Sequence, residues 1–465
     1  MKQDENSSSN NSEKIISATE LRQLLTNPPK EIIESSGEES TIVIDGYTIE
    51  DEYIILDESI IINLRLKFNN CTFQCDKSLW IDGLVCNEFV TFEGCSLPGG
   101  IYFRECLFKK KLLFKYVRIK DYHFSGGTFE KISISGYDAK KIWISGAKFE
   151  SLLIGEYLVN DNIQELTIFA KPDEVGNITV TQQNIDKLYL SGSNKDRKFS
   201  FAKIKCNTVA ITDFTNEGSL NFYGIEPKDL TNDKRYFQII NSNMEKAQFY
   251  RAFFSHYKEL IIIDSFITES LFIGCKWINN IRALYGPGYG TFEESVKAGR
   301  KTTPAEVVAI REAYRQLKIS MAKHSDKIQE NKFYAEELNF HNKTLAWGKP
   351  SKNQFWDKII LYLSKSLSDN GQSFIKPVFW LLAGHLIFFT IALLLNAFSP
   401  LHISFSNPTE SGFQIAFQKY FFYMNPLRRV ETSLTGYFIL IDFFMRIWSS
   451  YMLYNIIRAT RRFIS

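Results

Sequence analysis

Asp442 and Arg446 stand four residues apart in LTGYFILIDFFMRIWSSYMLYNII, residues 434–457. On a helix that spacing puts both side chains on one face, close enough to pair. The segment is also long enough to cross a hydrocarbon layer. Its eleven Leu, Ile and Phe residues favour insertion by about 5 kcal/mol, whereas a central Asp and Arg oppose it by about 5 to 7 kcal/mol. The chemistry on offer is therefore electrostatic. Opposite charges in lipid must pair and must face protein or water. One hairpin has little interior, so this face predicts a homo-oligomer assembled through the transmembrane helices. Two readings of the intramembrane pair stand side by side: a structural pair that fixes helix packing, and a pore-lining pair.

A first span precedes it. VFWLLAGHLIFFTIALLLNAF, 378–398, holds His385 as its one ionisable group. His385 lies about 10 Å from the end preceded by lysines and Asp442 about 22 Å from the corresponding end, so the two are poor partners. Lys358, Lys365 and Lys376 come before the first span, and Arg458, Arg461 and Arg462 follow the second. By the positive-inside tendency both termini are cytoplasmic, at the cell inner membrane. Arg428 and Arg429, in the outer loop, run against that bias. Between the spans, 411–424 predicts a short amphipathic or re-entrant helix with Phe413, Phe417, Tyr420, Phe421 and Met424 on one face. Arg428, Arg429 and His385 are the possible pore and outer-loop residues. Before the first span, 355–372 carries Trp356, Lys358 and Lys365 beside Ile359, Ile360 and Leu363, a pattern suited to an interfacial amphipathic helix.

Nothing comparable suggests catalysis. Seven cysteines occur, five of them between Cys71 and Cys106, with no paired Cys/His spacing for zinc. No signal peptide is evident at the start, and the cysteines read as packed thiols in a reducing compartment. His123, His256, His324, His341 and His402 are scattered, and AGRKT at 298–302 lacks the spacing of a phosphate loop. The formal charge of +3 argues against a general nucleic-acid binder. The expectation is a non-enzyme with no cofactor and no metal site, its partners being the bilayer and an unidentified protein.

The first half must position all this, and it is organised differently. From Phe92 large apolar residues fall at Leu97, Phe103, Phe108, Phe114, Ile119, Phe124, Phe129 and Ile134, then through Ala139 to Ile144, Phe149 and Ile154. Ten of these twelve steps are five residues and two are six. A helix would smear that stripe around its axis, and a flat strand would alternate its faces. A chain turning a corner every five residues satisfies it, with four sides closing a coil in about twenty. A small residue often sits two places earlier, as in CTF (71–73), CSL (95–97), CLF (106–108), GTF (127–129) and AKF (147–149).

This pattern resembles the pentapeptide-repeat family, best over 68–154 and again at AQF (247–249) and CKW (275–277). The resemblance implies a right-handed quadrilateral β-helix, about eleven coils across 42–277. Some members of that family mimic DNA with an acidic surface, which the basic FKKKLLFKYVRIK (108–120) does not offer. The stretch 314–338 looks like the helical connector of bacterial pentapeptide-repeat membrane proteins. The C-terminal module coarsely resembles two-helix channel subunits, although NPLRRVETS (425–433) replaces a Gly-rich filter.

The expected order is thus a polar tail (1–14), an N-terminal cap (15–40) with Ser17 and Glu20 as a capping box, and a β-helix (41–284). A linker (285–303), a helical hairpin (304–346) and the membrane elements follow. The expected function is a cytoplasmic β-helix that binds or senses, coupled to an oligomeric channel-like module. The alternatives are a membrane-anchored scaffold without conduction and a membrane-disrupting effector of the phage-defence type.

Overall fold

The computed structural model describes residues 14–36, 39–75, 77–136, 139–155, 162–278, 281–282, 304–345, 352–394, 410–429 and 437–461. The linker at 285–303, most of the N-terminal tail and the outer ends of both expected spans (395–398 and 434–436) lie outside them. The chain divides into two compact units, Met1–Lys301 and Thr302–Ser465.

The first unit is a parallel β-solenoid of about ten turns. Its inward column can be followed by strand register. Ile44 pairs with Phe68, Phe68 with Phe92, Phe92 with Phe114, Phe114 with Ile134 and Ile134 with Ile154. The column continues through Val180, Phe201, Phe222 and Phe249 to Phe272. All of these side chains are buried, as is every member of the five-residue series from Phe92 to Ile154. The abundance of Phe follows from the stacking. Phe68, Phe92 and Phe114 lie 4.8 and 5.1 Å apart, and Phe201, Phe222, Phe249 and Phe272 lie 5.0, 5.3 and 4.9 Å apart. These separations match offset stacking of rings carried on neighbouring strands.

The coil is not uniformly four-sided, which corrects the simplest form of the five-residue reading. Early coils do have four short strands, such as Arg65–Asn69, Thr72–Gln74, Leu79–Asp82 and Val85–Cys86. Over Leu107–Ile154 adjacent sides merge in pairs into strands of seven to nine residues. Strand Leu107–Lys115 pairs with both Val85–Cys86 and Val90–Glu93, and Arg118–Phe124 pairs with both Ser96–Leu97 and Ile101–Arg104. The size of the residue two places before the inward one does not separate the two kinds of coil: Leu66, Leu79, Val90 and Ile101 are large and buried in the four-strand coils, as Leu112, Tyr122, Ile132, Ile142 and Leu152 are in the merged ones. Another corner persists, built from left-handed residues: Gly46, Asn70, Gly94, Tyr116 and Gly136 low in the stack, Gln182, Lys203, Gly224, Arg251 and Gly274 above. That conformation is comfortable for glycine and mildly strained for Lys203 or Arg251.

The N-terminal edge is covered. Helix α1 (Ala18–Thr26) starts with a capping box, Ser17 accepting from the Glu20 amide while Glu20 accepts from the Ser17 amide at 2.7 Å. It buries Leu21 and Leu25, and Arg22 ties it to Asp57 at 2.7 Å. Strand Lys14–Ile16 pairs in parallel with Tyr47–Glu50, and Ile33–Ser36 pairs antiparallel with Glu39–Asp45, so these two segments supply the first strand of each sheet.

The second unit is helical: α2 (Pro304–Lys323), α3 (Lys327–Thr344), α4 (Lys352–Ser368), α5 (Ile375–Leu394), α6 (Glu410–Met424) and α7 (Tyr437–Arg461). Helices α2 and α3 form the expected hairpin around Tyr314, whose ring lies 6.1 Å from Phe333 and 5.6 Å from Phe340. Ile310, Leu317 and Met321 are buried in that seam, whereas Ile328 is exposed. The turn between α4 and α5 uses three consecutive left-handed residues, Asp369, Asn370 and Gly371. Asn370 is 2% exposed, and its side-chain amide donates to Asn339 at 3.1 Å. Gln372 donates to the Asn331 carbonyl at 2.8 Å, and the Arg458 guanidinium lies over the Tyr334 ring. The hairpin is thereby fastened to the start of α5 and the end of α7.

Lys358 of α4 departs from the headgroup role expected of it. It is buried, and its ammonium donates to the carbonyl of Leu345 at the end of α3. Trp356, Ile360, Tyr362 and Leu363 remain exposed, so α4 keeps an apolar outer face.

Candidate functional site

Among the described residues one helix, α5, is long and apolar enough to cross a membrane. Two such helices were expected. Helix α7 has 25 residues, and Asp442, Arg446 and Arg458 break its apolar composition.

Helices α5 and α7 run antiparallel. Phe389 packs with Met445 and Tyr423, whereas Leu381, on the other side of His385, packs with Met452 and Leu367. Between these layers the helices approach closely at Gly384. A Cβ there would come within 2.5 Å of the Trp448 indole. The same indole donates from Nε1 to the Trp380 carbonyl at 3.0 Å. Small residues let backbones close up in this way where lipid supplies no hydrophobic drive.

Helix α6 lies against both. Tyr420 donates to the Leu382 carbonyl at 2.9 Å, and its ring lies 5.3 Å from His385 and 5.7 Å from Phe389. Met424 reaches the layer of Leu381 and Met452. The helix thus ends near the middle of α5, and the chain must return from there. The face that makes these contacts is Tyr420, Tyr423 and Met424, while Phe417, Phe421 and Phe422 point outward.

The return carries the charges. Asp442 and Arg446 pair within α7, Nε to Oδ2 at 2.7 Å. Asp442 also accepts on its other oxygen from Arg428, whose side chain is 2% exposed. Arg428 further donates to the Tyr423 and Asn425 carbonyls, the latter at 2.9 Å, and its guanidinium stands 4.6 Å over the Tyr423 ring. In doing so it caps the carbonyl end of α6, where a cation is favoured by the helix dipole. Arg446 reaches back to the Arg428 carbonyl at 2.8 Å and the Pro426 carbonyl at 3.3 Å. Asp442 is the hub of a trio that locks the α6 return loop to α7.

Arg428 had been read as an outer-loop charge, and its place is instead inside this trio; Arg429, its neighbour, is exposed. His385 joins neither arginine by a hydrogen bond. It is fully buried beside Tyr420, with neither ring nitrogen bonded. Sequence reasoning missed Arg428 as a partner because it stands fourteen positions before Asp442 and no periodicity links them. The Gly384–Trp448 contact was equally silent, since a single glycine in an apolar run has many readings.

No group of three metal-ligating side chains occurs among the described residues. The seven cysteines are unpaired, and five are buried. Cys106 contacts the Ile81 carbonyl at 2.9 Å, and burial pushes its thiol up to about 12. Burial likewise raises Cys86 and Cys206 and pushes Cys275 to about 11. Thiols held in that state are poor nucleophiles and poor ligands.

Comparison with known protein families, curated proteins and solved structures finds no match for the chain.

Proposed function

We propose that this is an integral inner-membrane protein whose pentapeptide-repeat-like β-helix works in the cytoplasm as a binding or sensing arm. It is coupled through the α2–α3 hairpin to a two-span, channel-like module that oligomerises through α5 and α7. Both termini are cytoplasmic in this reading, and no catalysis is involved.

One observation carries it: the C-terminal unit is inside out. Phe379, Leu386, Ile387 and Leu394 of α5 are exposed, as are Ile439, Phe443, Ile447 and Ile457 of α7. The ionised side chains in the first half of α7, Asp442 and Arg446, turn inward against Arg428. Exposed apolar area of that extent needs a lipid or protein cover, and buried ion pairs within a span are the expected arrangement in lipid. The folded-back course of α6 supports the channel-like reading, because irregular backbone at membrane depth is tolerated where protein or a water-filled path surrounds it.

The test has two stages. Alkaline extraction of membranes should leave the full chain in the pellet, with a reporter at Ser465 on the cytoplasmic side; release into the supernatant would end the reading. Purified protein in planar bilayers should then pass current that changes with Asp442→Asn or Arg446→Gln. The anchored scaffold is favoured instead by one feature: the trio closes within a single chain and needs no second subunit to pair its acid. Silent bilayers would select it.

A further inference from the structure

Helix α4 is turned the wrong way round for water. Lys358 is 7% exposed and its ammonium donates to the Leu345 carbonyl at the end of α3, whereas Trp356 and Ile360 are each 61% exposed. Positions 356, 360 and 363 recur at helical spacing, and Phe355 and Tyr362 extend the same exposed surface. In water a helix of this composition rotates the other way, hiding that face and freeing the lysine, because burying an ammonium is costly and burying Trp and Ile is favourable. The exposed surface does not stop with the helix. Leu367, in the last turn of α4, packs with Leu381 of α5 and Met452 of α7. Beyond the turn, apolar exposure resumes at Phe374, Ile375 and Phe379. Asp357 and Lys365, both exposed on α4, are opposite in sign, so this surface offers apolar area rather than net charge.

We propose that α4 lies in the headgroup layer of the bilayer that α5 crosses, with Phe355, Trp356, Ile360 and Leu363 set against the outer ends of the acyl chains. Its place there depends on α5 being a span. An amphipathic helix in the interface plane sinks its apolar face by about 5 to 10 Å. Trp and Tyr are favoured at that depth, being apolar in body and polar at the tip. The occupant is lipid rather than a partner protein because the exposed apolar surface runs on into that of α5. Lys358, directed to the other side, holds the end of α3 to this helix. The hairpin is thereby tied to the membrane surface as well as to the spans, and a displacement of α4 within the headgroup layer pulls on Leu345 and so on α3.

The test is photo-crosslinking of the full-length protein in phosphatidylcholine nanodiscs. The photoreactive p-benzoylphenylalanine is placed singly at Ile360, Leu363, Leu386 or Ile328, and adducts are read by peptide mass spectrometry. Leu386 reports on the span, and Ile328 is an exposed apolar residue of the hairpin. Phospholipid adducts at Ile360 and Leu363 should approach the yield at Leu386 and exceed that at Ile328 at least fivefold. Replacing a quarter of the lipid by phosphatidylglycerol should change these yields less than twofold. Lipid capture at Leu386 but not at Ile360 and Leu363 overturns the proposal and leaves α5 a span; failure at Leu386 as well removes the span with it. Equal capture at Ile328 overturns it, as do adducts to protein in place of lipid at Ile360, whether within the chain or to a second copy. Capture that requires phosphatidylglycerol overturns it too, since lysines would then be making the contact. If the Ile360 variant does not fold, Trp356, exposed to the same extent, takes its place.

Discussion

Arg428 meets Asp442 across fourteen residues of chain, and through that contact the end of α6 is fixed to the flank of α7. The carboxylate serves two guanidinium groups at once, so its removal leaves both without a counter-charge. Breaking a buried ion pair from one side costs about 3 to 5 kcal/mol, more than replacing the whole group by apolar residues. Asp442→Leu should therefore lower the unfolding midpoint in detergent sharply. The triple variant Arg428→Leu, Asp442→Leu, Arg446→Leu should recover much of the loss. A triple variant no better than the single would show that the trio is not an electrostatic unit.

Gly384 bears on the same bundle from the other side. A side chain at 384 must displace the Trp448 indole and its bond to the Trp380 carbonyl. Overpacking of this kind costs about 1 to 3 kcal/mol. Gly384→Leu should destabilise the detergent-solubilised protein by that order, and adding Trp448→Ala should restore part of it. Independent, additive losses in the double variant would mean that the two positions do not share a contact.

The buried thiols test the solenoid wall. Cys71, Cys86, Cys95, Cys106 and Cys206 are buried, whereas Cys75 and Cys275 are partly exposed. Native protein treated with a maleimide at pH 7.5 should be modified at Cys75 and Cys275 ahead of the rest. The buried set should react only after denaturation. Rapid native labelling of Cys106, read by peptide mass spectrometry, would contradict the packing of that corner.

What the sequence revealed, and what it hid, follows from how each contact is encoded. The solenoid was legible because every coil repeats one demand, a large inward residue per corner, and Phe92 to Ile154 states it twelve times over. The merging of four sides into two was not, since large residues two places before the inward one occur in separated and merged coils alike, Leu66 and Val90 as well as Leu112. The Asp442–Arg446 pair was legible from helical spacing alone. Arg428 was hidden because a return loop has no period, and only the folded-back α6 brings it to Asp442. Lys358 was misplaced for a related reason. Its spacing fits an amphipathic face, but the carbonyl of Leu345 left open at the end of α3 draws it inward.

His123 offers a test of the outer wall by pH. Its ring is stacked 4.1 Å from Tyr102, which itself stacks 4.8 Å from Trp80, and 6.4 Å from Trp143 on the next coil. Burial in this ladder is the largest influence on the imidazole and holds it below its ordinary value of 6.5; Asp121 opposes the shift and Lys141 adds to it. Lys141 is itself engaged, 3.0 Å from Glu165 and 4.2 Å over the Trp143 ring. The sign follows from linkage. The unfolded chain binds the proton more readily than the folded one, so stability rises with pH wherever the two differ. The full contribution is present above about pH 6.5, the unfolded value for histidine, and is lost as pH falls toward the lower folded value. Unfolding midpoints of the wild type should thus decline between pH 7 and pH 5, by more than those of His123→Phe, which keeps a ring in the ladder and has nothing to protonate. Equal slopes for the two proteins would place the acid sensitivity elsewhere and leave the ladder purely a matter of stacking.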